Sequence, residues 1–134
     1  MTSDVWQYLV VALITVMALG VWTLMRRSRL VPEAEARRLL AAGAVVVDVR
    51  SRGEYGAGHL PGVINVPLDG LGAAIAGVVP DRSTAVLLHC HSGGRSAVAQ
   101  MILRRAGYAG AHNLGSFGRA QRILSESAPK TSAA

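Results

Sequence analysis

The sequence predicts an α/β fold in which a mostly parallel sheet, flanked by helices, is preceded by one transmembrane helix. Three observations carry that prediction. Val5 to Met25 is a run of twenty-one residues without a charge. AVVVDV (Ala44 to Val49) and TAVLLH (Thr84 to His89) are short apolar runs of the kind found in strands covered on both faces. Helical patterns alternate with such runs over about a hundred residues, which implies parallel strands joined by right-handed crossovers.

As a helix, the first run is about 32 Å long, enough for a bilayer core of roughly 30 Å. Trp6 and Tyr8 mark one border and Trp22 the other, where amphipathic rings favour the membrane–water interface. A cleaved signal peptide is the competing reading. Against it, no Lys or Arg precedes the run, the run exceeds the usual signal core, and no small-x-small cleavage site follows. Arg26, Arg27 and Arg29 follow the run and only Asp4 precedes it, so the positive-inside rule places the remaining chain in the cytoplasm. The expected organisation is a flank (1–4), a transmembrane helix (5–25), a basic juxtamembrane linker (26–30), a single domain (31–125) and a disordered tail (126–134).

Within the domain, VPEAEARRLLAA (Val31 to Ala42) has Pro32 and glutamates at its start and Gly43 just past its end, the marks of a short helix. AVVVDV is the first strand. GVINV (Gly62 to Val66), stopped by Pro67, is the second, followed by a small-residue helix from about Leu68 to Ala76. TAVLLH is the third strand, and SAVAQMILRRA (Ser96 to Ala106) is an amphipathic helix closed by Gly107. Ala109 to Asn113 is a weak fourth strand, and Phe117 to Ser125 the last helix.

The 134 residues are 51% hydrophobic and 16% charged, too apolar for a disordered chain. The net charge of +6 rests on thirteen arginines and one lysine. Nucleic acid is not an expected partner, because the arginines are scattered and Tyr55, Tyr108 and Phe117 are too far apart for a stacking platform. Arg26, Arg27, Arg29, Arg37 and Arg38 suit a weak attraction to anionic headgroups, although a solvated helix face also accounts for Arg37 and Arg38.

The chain's single cysteine, Cys90, stands in LLHCHSGGRSA, where a strand ends and a helix is about to begin. Ligands of such sheets bind beyond the carboxyl ends of the strands, where Asp48 and Arg50 also lie. Gly93 and Gly94 let backbone N–H groups turn inward as an anion nest, and the helix start adds positive potential. Such surroundings lower a thiol pKa and make the thiolate a nucleophile. Arg95 adds a permanent charge and donors for an anionic substrate. Ser96 either donates to the sulfur or caps the helix. A metal site drawn from His89, Cys90 and His91 with His59 or His112 lacks a familiar zinc spacing, so no metal and no cofactor are expected.

Val31 to Leu124 resembles a rhodanese domain, on the strength of DVRSRGEY (Asp48 to Tyr55), GHLPGVINVP (Gly58 to Pro67) and CHSGGRS (Cys90 to Ser96), in that order. The resemblance implies a thiosulfate sulfurtransferase in which Cys90 becomes a persulfide and a thiol or cyanide collects the sulfur. It implies that main-chain N–H groups of His91, Ser92, Gly93, Gly94, Arg95 and Ser96 surround that sulfur. Asp48, Arg50, Glu54 and His59 become supporting residues that anchor loops, with Arg50 and Glu54 expected to form an ion pair. Related cell-cycle phosphatases have five residues between Cys and Arg, whereas His91, Ser92, Gly93 and Gly94 make four here, a tighter ring sized for sulfur. The alternative is a catalytically inactive rhodanese acting as a membrane-tethered binding module. Degenerate members commonly lack the cysteine, and this loop is complete. NLGSFGRAQRI (Asn113 to Ile123) departs from the family pattern, having separated glycines and no tryptophan. The short linker keeps the site close to the bilayer, which suggests a membrane-bound donor or acceptor.

Overall fold

The computed structural model describes residues 2–27 and 30–128. Its ten elements are α1 (Thr2–Arg27), α2 (Glu33–Ala41), β1 (Val45–Asp48), α3 (Arg52–Ala57), β2 (Ile64–Asn65), α4 (Leu71–Val78), β3 (Val86–His89), α5 (Gly94–Arg105), β4 (Ala111–Gly115) and α6 (Phe117–Ser127). Helix α1 contains a window, Asp4–Leu24, of mean hydropathy 1.9 with none of it buried, long and apolar enough to cross a bilayer. Those are the properties of a membrane span and equally of a signal sequence near the N-terminus.

The four strands form one parallel sheet in the order β2-β1-β3-β4. Side chains alternate between its faces, as the strand period of two requires. Val47, Val49, Val86, Leu88 and Cys90 join Leu71 and Ile75 of α4 and Ala99 and Leu103 of α5 in one core. Val46 and Leu87 point to the other face and meet Ala36 of α2 and Ala120 and Ile123 of α6. Sheets covered on both sides select continuous apolar strands, so the two runs read from the sequence are the two central strands. Truncating a fully buried residue such as Leu88 to alanine costs about 2–5 kcal/mol.

The expected helices are present with ends moved by a few residues, and α3 is an addition. Its six residues include two glycines, yet Ser51 caps it: the Glu54 N–H donates to Ser51 Oγ at 3.2 Å, and the Glu54 carboxylate accepts from the Ser51 N–H. Glu54 therefore lies in a helix, where the sequence suggested a turn. The expected tail is partly helical, since α6 runs to Ser127; residues 129–134 lie outside the described residues, as do Ser28 and Arg29 of the basic linker.

Leu30 forms an isolated parallel bridge with Asn113, and the Val31 N–H donates to Asn113 O at 2.9 Å. Arg119 fixes this edge by donating to Leu114 O and Val31 O, both at 2.6 Å.

Candidate active site

Asn65, Asp48, His89 and Gly115 lie side by side at the carboxyl ends of β2, β1, β3 and β4. Between Leu88 and His89 the register with β4 slips, because Leu114 is an extra residue there. The bulge sets Gly115 opposite the start of the cysteine loop. The Cys90 N–H donates to Gly115 O at 3.1 Å, and the Phe117 N–H donates to His91 O at 3.1 Å. Ser92 and Ser116 form an antiparallel bridge. Asn113, almost fully buried, donates from Nδ2 to Gly93 O at 3.4 Å and accepts from the Gly115 N–H at 3.0 Å. The loop is thereby fastened to the β4–α6 junction.

Inside the loop the Gly93 N–H points at the Cys90 sulfur, with N and Sγ 3.0 Å apart. This requires φ +93° at Gly93, a left-handed backbone that disfavours any residue with a Cβ. Gly93 is the N-cap of α5 and makes no side-chain cap. Ser96 Oγ lies 3.1 Å from Gly93 O and 3.5 Å from Sγ, so its hydroxyl serves the loop interior.

Burial raises the Cys90 pKa, but the Ser96 hydroxyl and the N–H groups of Ser96, Gly93 and Ser92 outweigh it, and the thiol lies below its ordinary value of 9.0. The amide with a hydrogen bond to Sγ itself is that of Gly93. Cys90 has no exposed surface, and the exposed rim around it is His91, Ser92 and Gly94.

Arg95 stands beside this loop in a two-pronged ion pair with Glu54, Nη1–Oε1 at 2.7 Å and Nη2–Oε2 at 2.9 Å. The pair raises the Arg95 pKa, with a smaller contribution from Cys90. Chiefly through Arg95, it pulls Glu54 down to about 2. The expected Arg50–Glu54 pair is not formed. Arg50 turns back on Asp48, two residues earlier, with Nη2–Oδ2 at 2.8 Å and Nε within 3.1 Å of both carboxylate oxygens. Glu54, in the first turn of α3, is directed to Arg95 instead.

Arg50 Nη2 also donates to Gly58 O at 2.8 Å, and the guanidinium lies 4.8 Å from the Phe117 ring centre. Asp48 and Arg50 thus brace the β1–α3 and α3–β2 loops. Asn65 Nδ2 adds bonds to Asp48 O (3.0 Å) and Arg50 O (2.9 Å). His59 is held by α3: its ring stacks on Tyr55 at 3.8 Å, and Nδ1 is 3.0 Å from Tyr55 O. His89 is fully buried; desolvation lowers its pKa, and its Nε2 is 3.8 Å from Asp48 Oδ2 without a hydrogen bond.

Asn65, Asn113, Gly115 and Phe117 were not singled out from the sequence as part of this site. An asparagine within an apolar strand pattern is the signal that could have found Asn65, at the end of β2, and Asn113, in the middle of β4.

A parallel sheet whose central strand leads into a cysteine loop with a backbone N–H turned onto the sulfur has the form of a rhodanese-like domain, and the rhodanese-like domain family matches residues 33–117. The chain belongs to that family. It is 38% identical over 69 residues to thiosulfate sulfurtransferase PspE of Escherichia coli, covering 52% of this chain and 66% of the relative. It is 36% identical over 93 residues to human thiosulfate:glutathione sulfurtransferase, covering 59% and 80%. Among solved structures, the human single-domain sulfurtransferase TSTD1 superposes with a TM-score of 0.59 at 32% identity, over 70% of this chain and 96% of that one. An Escherichia coli rhodanese with bound anions gives 0.56 at 34% identity, over 57% and 91%. These relatives support a sulfurtransferase-type transferase.

Proposed function

We propose that this chain is a membrane-anchored sulfurtransferase working through a Cys90 persulfide. The observation that carries the reading is the loop that aims backbone N–H groups at a single buried thiol, with Gly93 N 3.0 Å from Sγ. The Cys90 thiolate attacks the outer sulfur of thiosulfate or of a persulfide donor. A new S–S bond forms, the donor's S–S bond breaks, and its electron pair leaves with sulfite or a thiolate. A thiolate or cyanide then attacks the terminal sulfur, and Cys90 departs as the thiolate. The amides of Ser92, Gly93 and Ser96 favour the anion at each stage. Arg95, held by Glu54, faces the loop as the cation for an anionic donor.

In this reading residues 5–25 of α1 span the bilayer, and the arginines that follow hold the domain on the cytoplasmic side. Thiosulfate turnover by the full chain in detergent tests the activity: Cys90→Ser abolishes it, and equal rates in the two forms rule the mechanism out. With four residues between Cys90 and Arg95, an aryl phosphate should not be hydrolysed by either form.

A further inference from the structure

The two ends of the sheet differ in charge. At the carboxyl ends, Asp48 is paired with Arg50 and Glu54 with Arg95, which leaves Arg52 as the one exposed arginine there without an ion pair among the described residues. At the amino ends, Arg82 precedes β3, and Arg104 and Arg105 close α5. Arg82 lies against Gly107, where an added Cβ would meet its Cδ at 3.2 Å, and Arg104 Nε donates to the O of Ala111, the first residue of β4, at 3.1 Å, which with Arg105 at the end of α5 places three arginines at this end. All three are exposed and form no ion pair among the described residues. The neighbouring Asp81 is engaged by the Ser83 N–H and hydroxyl at 2.9 and 2.7 Å.

The chain reaches the domain from the same end. The bridge of Leu30 to Asn113 is parallel, so the backbone runs there in the direction of β4 and arrives from the Ala111 side. Only two residues separate Leu30 from the last residue of α1, Arg27, a reach of at most about 11 Å at 3.8 Å per Cα step.

We propose that the amino-end surface carrying Arg82, Arg104 and Arg105 rests on anionic lipid headgroups, so that the Cys90 loop at the opposite end faces the aqueous phase. This rests on the anchoring proposed for α1. Lipid phosphate is the occupant because the chain leaves the bilayer beside this surface, and each arginine near an anionic leaflet adds about fivefold in local affinity. The orientation gives Cys90 to dissolved donors and acceptors, in place of the membrane-bound partners suggested by linker length alone.

The test uses the full chain in nanodiscs, with Cys90→Ser combined with either Ala109→Cys, exposed at the amino end, or Arg52→Cys, exposed at the carboxyl end. Each is labelled with a fluorophore and read against headgroup-quencher lipid. In phosphatidylglycerol discs the label at 109 should be quenched several-fold more than the label at 52. The contrast should shrink in phosphatidylcholine discs, in ~1 M salt, and with Arg82→Gln plus Arg105→Gln, whose intact fold is checked by thiosulfate turnover with Cys90 restored. Equal quenching, stronger quenching at 52, or a contrast that ignores lipid charge overturns the proposal. Release of the unlabelled chain from membranes by alkaline carbonate would instead remove the anchor itself.

Discussion

Replacing Gly93 by alanine should damage the chain twice, and the neighbouring glycine provides the control. Space is not the difficulty: a Cβ at Gly93 would meet Gly115 C, Gly115 Cα and Ser116 N at 3.5, 3.6 and 3.7 Å, all ordinary contacts. The cost comes from φ +93°, where a side chain loses about 1–2 kcal/mol. In a domain of roughly 100 residues each kcal/mol moves Tm by about 4–8 °C, so Gly93→Ala should melt about 4–16 °C lower. If the loop relaxes to escape the strain, the Gly93 N–H leaves the sulfur. A hydrogen bond to a charged group is worth about 1.5–3 kcal/mol, and losing it lowers the ratio of thiolate to thiol at a given pH about tenfold or more.

Turnover should fall accordingly and recover as pH is raised, while the thiol titration moves upward. Gly94 is helical, outside the positive-φ set, and its added Cβ meets nothing within 4 Å, so Gly94→Ala should be neutral or slightly stabilising. Calorimetry and thiol alkylation across pH compare the two variants. Equal melting temperatures together with unchanged alkylation profiles would refute the role given to Gly93.

Other consequences follow from the same geometry. Because the folded Cys90 pKa lies below 9.0, its ionisation stabilises the fold fully above 9.0, and that stability is lost as pH falls through the folded value. The melting temperature of the native chain relative to Cys90→Ser should therefore rise with pH up to 9, and a pH-independent difference would contradict the depressed thiol. Asn113→Ala leaves the buried Gly115 N–H without its acceptor, which should cost about 1–3 kcal/mol by urea unfolding and slow turnover by loosening Gly93; an unchanged midpoint would count against that fastening. With Glu54 at about 2 against an ordinary 4.5, the Arg95 pair contributes fully above 4.5 and is lost as pH falls through about 2. The stability gap between the native chain and Glu54→Gln should narrow over that interval, and a constant gap would show that the pair contributes nothing.

Much of this was legible because burial on both faces leaves a plain mark: AVVVDV and TAVLLH can be little else than central parallel strands, and the glycines after Cys90 mark a turn into a helix. What escaped reading depends on contacts distant in sequence or on compact local devices. Ser51 and Glu54 form a capping box that would have announced α3, but two glycines in RGEYGA masked it. The family resemblance implied a pair between Arg50 and Glu54. The fold brings Arg95 across 41 residues to Glu54 and leaves Arg50 to Asp48. Asn113 and Gly115 owe their places to a bulge in β4, which no periodicity displays. The same bulge explains why NLGSFG can depart from the family pattern: Gly115, with φ +102°, carries the chain to Ser116, which caps α6, and sets Phe117 beneath Arg50.

The account is tested most directly by intact-mass measurement of the full chain after exposure to thiosulfate and removal of excess. Cys90 should gain the mass of one sulfur atom, lose it on addition of cyanide with stoichiometric thiocyanate, and show neither change as Cys90→Ser. A chain that gains no sulfur, or gains it equally without Cys90, contradicts the persulfide at the centre of the account.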